Sequence, residues 1–269
     1  MNILPVSVQL RCNNGKLNIL DEQLKAFRPI SLLEMDRVKL MNRIDTKFIV
    51  GYHQLPEILA KASSAYRILE VDGLRVSPYS SIYFDTTDVQ MYTMHHNGKL
   101  NRYKIRMRLY IQSGATYLEI KRKNNKGRTS KKRISISRDH FESLNLDEIE
   151  RVFIRNKTPY ELENLKPQLQ NAFHRITLVD HNETERVTLD IGLNFRKIGV
   201  DAFISMDKIV IVEIKQDGAV SSSFRKMLDE ASVQPKSISK YCLGMMLTNP
   251  GIKYNRFKEK IRLINKIAI

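Results

Sequence analysis

The 269-residue chain has no tryptophan, two cysteines and eight prolines. No apolar run approaches the roughly 20 residues that a membrane helix requires, so the sequence carries no candidate span. Cys12 and Cys242 stand apart, with neither CxxC spacing nor a histidine cluster around them. That argues against a disulfide framework and a structural zinc, and it suits a reducing compartment. The opening MNILPVSVQL lacks a basic leader region and does not read as a signal peptide, so the expected location is the cytoplasm. Aromatic residues make up 8% of the chain, and none interleave with its basic segments as a stacking platform for RNA would need. No GxxxxGK[ST] loop occurs, which excludes a P-loop nucleotide site.

Acid is scarce relative to base, with 29 Asp and Glu against 45 Lys and Arg and a formal net charge of +16. Such an excess points to a polyanionic partner: nucleic acid, an anionic membrane surface or a phosphate chain. The hydrophobic fraction of 42% and charged fraction of 28% are those of a folded globular protein of one large or two small domains.

What the chain has in abundance is alternation. Residues 101–111, NRYKIRMRLYI, put Arg102, Lys104, Arg106 and Arg108 on one face of a strand and Tyr103, Ile105, Met107 and Leu109 on the other. The pattern recurs. RIDTKF offers Arg43, Asp45 and Lys47; TYLEIKRK offers Glu119, Lys121 and Lys123; KKRISI offers Lys131 and Arg133. Arg175, then Arg186 with Asp190, then Glu213 with Lys215 follow in later segments. One basic strand alone is usually a solvated or nucleic-acid-binding face. Six or so with the same asymmetry predict cationic faces converging inward, with the apolar faces under helices.

Turns at Ser113-Gly114 and Asn124–Gly127 suit antiparallel hairpins. The expected fold is α+β, a closed or nearly closed antiparallel β-barrel decorated by helices. Its expected parts are an irregular arm over 1–29, a barrel domain over 30–250 and a basic amphipathic helix over 251–269. A helix is expected over 30–41 and mainly helical structure over 138–168. The final helix, with Tyr254, Phe257, Ile261 and Ile264 along one stripe, is expected to pack on its own domain, with contact to anionic lipid as the alternative. His95 and His96 read as a helix C-terminal cap.

Charges crowded in a partly desolvated interior need partners. Asp45, Glu119, Asp190 and Glu213 are too few to neutralise the basic rows, so a multiply charged anion is expected there, and phosphates accept both Arg forks and Lys point charges. Carboxylates among phosphate-binding cations commonly hold Mg²⁺ or Mn²⁺.

The ordered segments RIDTKFIV, SIYFDT, RYKIRMRLY, YLEIKRK, KKR, FHRITL, ERVTLD, IVEIK and SISKYCLGM resemble the VTC-type polyphosphate polymerase domain of the CYTH, or triphosphate tunnel, superfamily, over about residues 30–250. The likeness implies a tunnel that uses ATP and Mn²⁺ or Mg²⁺ to extend an inorganic polyphosphate chain. It implies that Lys47, Arg106, Arg108, Lys121, Arg175 and Arg186 act on the transferring phosphates. Around them, Lys131, Arg133 and Lys240 would bind the chain, joined by Arg43, Lys104 and Lys215 from the face tracing. Ser239 would lie near the chain with Tyr241 packed behind it, and Glu213, helped by Glu119, would hold the metal. Hydrolytic members begin with ExExK, whereas this chain reads Arg43-Ile44-Asp45-Thr46-Lys47, which resembles the polymerase branch. The chain resembles a stand-alone, prokaryotic-like version that would reach a membrane only through a partner protein or the C-terminal helix. A metal-dependent triphosphate hydrolase and a non-catalytic polyphosphate binder stay open as alternatives.

Overall fold

The computed structural model describes residues 14–38, 43–218 and 221–268. Residues 1–13, with Cys12 and the first part of the expected arm, lie outside the described residues, as do positions 39–42. The rest of that arm is not irregular. It forms helix α1 (Asn14–Lys25), whose Leu20 and Leu24 join the core with Phe27 just beyond it. Its weak apolar period hides this helix in the sequence.

Pro29, just before the helix expected over 30–41, does not open it. It sits in the short strand β1 (Arg28–Ile30), and Ser31 instead caps α2 (Leu32–Arg37) through a reciprocal capping box with Glu34. Then follow β2 (Arg43–Gly51), α3 (Leu55–Ala62), β3 (Tyr66–Leu69), β4 (Ser77–Thr86), α4 (Gln90–His96), β5 (Arg102–Tyr110), β6 (Thr116–Lys123) and β7 (Thr129–Ser135). Helices α5 (Arg138–Ser143) and α6 (Glu148–Lys157) occupy only part of the segment expected to be helical. From Leu165 onward that segment is strand, the first quarter of the long β8 (Leu165–Asp180). Pro167 is accommodated opposite Phe84, beside a register shift in the pairing with β4, where a missing N–H costs little. The chain ends with β9 (Glu185–Lys197), β10 (Ile204–Met206), β11 (Ile209–Asp217), α7 (Ser223–Glu230), α8 (Lys240–Thr248) and α9 (Lys258–Ile267).

The main sheet runs β2-β11-β9-β8-β4-β5-β6-β7, each neighbour antiparallel. It curls into a half-barrel, and among the described residues no ladder joins β7 back to β2. The convex face is apolar and covered in two places. Val50, Leu189 and Val212 pack under α1, α3 and α7. Ile105, Met107 and Leu118 pack under Phe141 of α5 and Ile154 of α6.

The concave face is divided. One part is cationic, and the other, with Leu169, Phe173, Phe195 and Ile211, packs against α8 and α9 through Leu243, Met245 and Ile264. The apolar stripe of α9 is thereby committed to its own domain, as expected. Tyr254, placed on that stripe by spacing, instead stays exposed. No helix among the described residues is long and apolar enough to cross a membrane.

Helix α8 approaches the sheet closely because it carries Gly244 where any Cβ would lie 2.5 Å from Leu169 Cδ2 and 2.6 Å from Phe195 Cδ1. Gly→Ala in a helix interior ordinarily stabilises by about 1 kcal/mol. Here Leu169 and Phe195 are fully buried and cannot yield without disturbing the core. Gly244→Ala should therefore destabilise by about 1–3 kcal/mol, as overpacking does, measured by urea unfolding.

Candidate active site

Strand register explains why the basic rows meet. Lys104 pairs across to Lys121, Arg106 to Glu119, Lys121 to Lys131, Glu213 to Lys47 and Arg175 to Asp190, so all project from the concave face. They surround a cavity of about 350 Å³ closed on one side by Ile238, Ser239 and Lys240 at the start of α8. Its wall holds ten lysines and arginines against four carboxylates.

Each of three carboxylates ties two cations together. Glu213 bonds Lys47 at 2.6 Å and Lys215 at 3.2 Å. Glu119 accepts from Arg106 Nε at 2.7 Å while its other oxygen faces Lys131. Asp190 takes a two-pronged contact from Arg175, at 2.6 and 2.9 Å, and one from Lys240. Asp45 pairs with Arg43 at 2.6 Å. Seven cations are thus engaged, and Lys104, Arg108 and Lys121 have no carboxylate partner among the described residues. Arg108 is buried, with its Nε donating to Ser81 at 3.3 Å and its guanidinium over the Tyr79 ring. Lys104 donates to Ser239 at 2.8 Å.

The electrostatics follow this geometry. Burial alone would raise the carboxyls, but neighbouring cations outweigh it. Arg106, Arg108 and Lys131 bring Glu119 down to about 2, and Lys215 with Lys47 hold Glu213 well below its usual range. Arg175 and Lys240 do the same to Asp190. Burial lowers Lys104 to about 8, with Lys121 and Lys47 adding to the effect. It lowers Lys215 to about 8 as well, Arg175 contributing and Glu213 opposing. Lysines depressed this way oppose folding while charged; the penalty is full below pH 8 and fades as pH rises toward their unfolded value.

Of the expected site residues, Lys47, Arg106, Arg108, Lys121, Arg175, Arg43, Lys104, Lys131, Lys215, Ser239, Lys240, Glu213 and Glu119 all line this cavity. Two do not. Arg186 lies on the concave face, opposite Lys215, but its Nη2 turns to the carbonyls of Met35 and Val38 at 3.3 Å, where it holds the end of α2. Arg133 is exposed near the free edge of β7, its guanidinium 4.4 Å from the centroid of the Tyr117 ring.

Other residues escaped the sequence reading. Tyr83 lies 3.3 Å from Arg106 Nη1, and Tyr241 donates to the buried Asp85. Asp85 also accepts from the amides of Thr86, Met91 and Tyr92, so it anchors α8 and α4 at once. The alternation in YSSIYFD could have placed Tyr83 on the inner face; the role of Asp85 depends on long-range packing. His95 and His96 both fall in the last turn of α4, where Asn97 is the cap residue, but the His95 side chain serves another contact. Its Nδ1 lies 3.0 Å from Cys242 Sγ, beside a second cavity at the tunnel end.

The donor set admits a divalent metal at Glu213, a hard carboxylate facing the cavity whose oxygens are held by Lys47 and Lys215, residues that can transfer to phosphate. Glu119, 2% exposed and clamped by Arg106 and Lys131, fits the role of counter-ion better than that of metal helper. Outside the barrel, His140, Asp147 and Glu150 lie close enough to share an ion. Their atoms already serve a capping box and a 2.7 Å His140–Glu150 contact.

The model of the VTC domain family matches residues 42–249, and the chain belongs to that family. With the cationic half-barrel, this defines a phosphate-handling enzyme of the triphosphate tunnel fold. No curated protein matches the sequence. Among solved structures, a Bacillus halodurans protein described as a candidate adenylate cyclase is similar at 15% identity, covering 74% of this chain and 96% of its own, with a TM-score of 0.48. A Hippeastrum protein described as a candidate adenylyl cyclase with dominant triphosphatase activity is 13% identical, covering 78% and 99%, with a TM-score of 0.47. A Vibrio parahaemolyticus candidate adenylate cyclase is 12% identical, covering 76% and 99%, at 0.44. These likenesses concern the fold alone.

Lys121 and Arg106 should respond oppositely to truncation. Lys121→Ala removes an unpaired cation among like charges and should keep or raise the melting temperature. Arg106→Ala strips a partner from a nearly buried Glu119 that retains only Lys131, and should cost about 1–3 kcal/mol. Calorimetric melting of both variants checks the contrast.

Proposed function

We propose that the protein is an ATP-dependent polyphosphate polymerase, passing the terminal phosphoryl of ATP to a growing inorganic polyphosphate chain. The observation that carries this reading is the continuous wall of ten cations against four carboxylates. Phosphoryl transfer demands positioning and neutralisation of spread negative charge more than covalent participation by the protein. No histidine lines the inner cavity, and none is needed.

In this reading Arg106, Arg108 and Arg175 orient the reacting phosphates through planar forks, and Lys47, Lys121, Lys131, Lys215 and Lys240 supply point charges. Arg43, Lys104 and Ser239 bind further along the chain, with Arg186 and Arg133 supporting from outside the cavity. Divalent metal dependence is general in the tunnel superfamily. Glu213 would hold Mn²⁺ or Mg²⁺, which when bound neutralises phosphate oxygens and orients them for in-line attack. Lys47 and Lys215 pair with Glu213 and line the same cavity, so they would be free to meet the phosphates if a metal took that carboxylate.

Incubation with ATP and Mn²⁺, followed by gel sizing of polyphosphate, tests the assignment. Long-chain product is expected, and Glu213→Ala should reduce its formation by about 100-fold or more without unfolding the protein. Release of inorganic phosphate without polymer would overturn the polymerase reading in favour of hydrolysis. Metal-independent binding without turnover would reduce the protein to a binder.

Anion binding should also restore charge to Lys104 and Lys215, whose values lie near 8. Calorimetric titration with tripolyphosphate at pH 8.5, in buffers of different ionisation enthalpy, should give a proton uptake larger in wild type than in Lys104→Met by about half a proton. The difference should vanish at pH 6.5, where the lysine is already protonated.

A further inference from the structure

Three neighbouring strands bring a tyrosine to the same end of the concave face. On β5 the basic row closes on Tyr110 after Arg108, on β6 the inner row opens on Tyr117 before Glu119, and on β4 it opens on Tyr79. Register puts them together. Tyr79 stands opposite Tyr110 on one side and Phe173 on the other, and Tyr117 stands opposite Arg108. The Tyr79 ring stacks on Phe173 at 5.3 Å and meets Tyr110 at 4.9 Å. Tyr110 meets Tyr117 edge to face at 5.8 Å. Arginines frame the group: Arg108 and Arg175 lie over Tyr79 at 5.6 and 5.2 Å, and Arg133 lies over Tyr117 at 4.4 Å. The cavity at the opposite end, beside His95 and Arg102, has no Phe or Tyr in its lining. Two of the four rings are committed to packing, since Phe173 is fully buried and Tyr79 nearly so. The other two are not. Tyr110, which lines the inner cavity, and Tyr117 remain half-buried, and with 82° between their planes they form a corner.

We propose that this corner seats the base of a purine nucleoside triphosphate, stacked on Tyr110 and Tyr117, with the phosphates running inward along Arg108 and Arg175 toward Arg106. The inference rests on the nucleotide use in the polymerase reading and adds the one part of the nucleotide that reading leaves unplaced. The spacing suits it. Tyr110 stands four residues from Arg106 on β5, about 13 Å along the strand, which an extended nucleoside triphosphate can span from base to terminal phosphoryl. Stacking accepts any base, because every base has a π-face, and a guanidinium plane such as that of Arg133 adds to it. The cavity lining contains no Asn or Gln to pair with a base edge, so adenine and guanine should bind alike, and pyrimidines less well through their smaller stacking area. The sequence reading found no aromatic interleaved with the basic segments, because each tyrosine stands at the end of its row instead of within it. One corner seats one base, whereas RNA would need such platforms repeated along the strand.

Calorimetric titration of the full chain with ATP, GTP, CTP and tripolyphosphate tests the site. Wild type should bind ATP and GTP within about threefold of each other and CTP about threefold or more weaker. Tyr110→Leu/Tyr117→Leu should lose about tenfold or more in ATP affinity while tripolyphosphate affinity changes less than about twofold, and Tyr110→Phe/Tyr117→Phe should keep the affinity for ATP. Equal losses for ATP and tripolyphosphate, or no loss for ATP, would overturn the corner as a base site. Should the leucines unfold the protein, the emission of ethenoadenosine triphosphate bound to wild type reads the stack directly: quenching is expected, and unchanged emission counts against the site. Wild-type binding of tripolyphosphate without ATP refutes the corner and leaves the inner wall standing, whereas binding of neither defeats both. Phosphate release from ATP without polymer would sink the polymerase reading alone, since a base is seated before either reaction.

Discussion

The structure depends on holding many like charges on one concave surface. Left to themselves, the basic rows of β2, β5, β6, β7 and β11 would drive the sheet apart. Two things oppose this. The same strands bury their other faces under helices, so flattening the sheet would expose Val50, Val212, Met107 and Leu118 to water. The carboxylates are also placed where they join different elements. Glu119 on β6 draws in Arg106 from β5 and Lys131 from β7; Glu213 on β11 holds Lys47 of β2; Asp190 on β9 binds Arg175 of β8 and Lys240 of α8. Scarcity of acid is therefore no defect of composition. Each acid sits at a junction and leaves the remaining cations available to a ligand.

Helix α8 connects this electrostatic arrangement to ordinary packing. Gly244 lets it settle against Leu169 and Phe195, and Tyr241 fixes its first turn to Asp85. Those contacts place Ser239 and Lys240 at the cavity edge, with a lysine at a helix start, where the dipole disfavours it unless an acid compensates. Asp190 is that acid. Asp85, fully buried, also receives the first amides of α4, so the helix bearing His95 and the helix bearing Lys240 share one anchor.

Much of the site was legible because a strand has a period of two, and a run such as RYKIRMRLY admits one division into faces. Eleven of the fifteen expected residues reach the cavity for that reason, and Ser239 and Lys240, expected from the family resemblance, reach it from the start of α8. The two exceptions lie on the correct face but near its limits, where a long arginine can turn to α2 carbonyls or lie over Tyr117. Face assignment says nothing about such a choice. The elements misjudged were those with weak or conflicting period: α1, and the start of β8, where Pro167 and mixed polarity imitate a broken helix. Asp85 and Gly244 were invisible as functional supports, since Tyr241 lies 156 positions from Asp85, and Leu169 and Phe195 lie far from Gly244 in the chain. The pairing of acids with specific cations likewise needs register, which sequence alone leaves open.

The unjoined edge of β7 bears on how a guest gets in. Because no backbone ladder among the described residues ties β7 to β2, the circumference of the half-barrel can change without breaking a main-chain hydrogen bond. The cationic trough is thus a slotted conduit along one side, and its width is set by side-chain contacts and packed helices instead of a closed ring of backbone bonds.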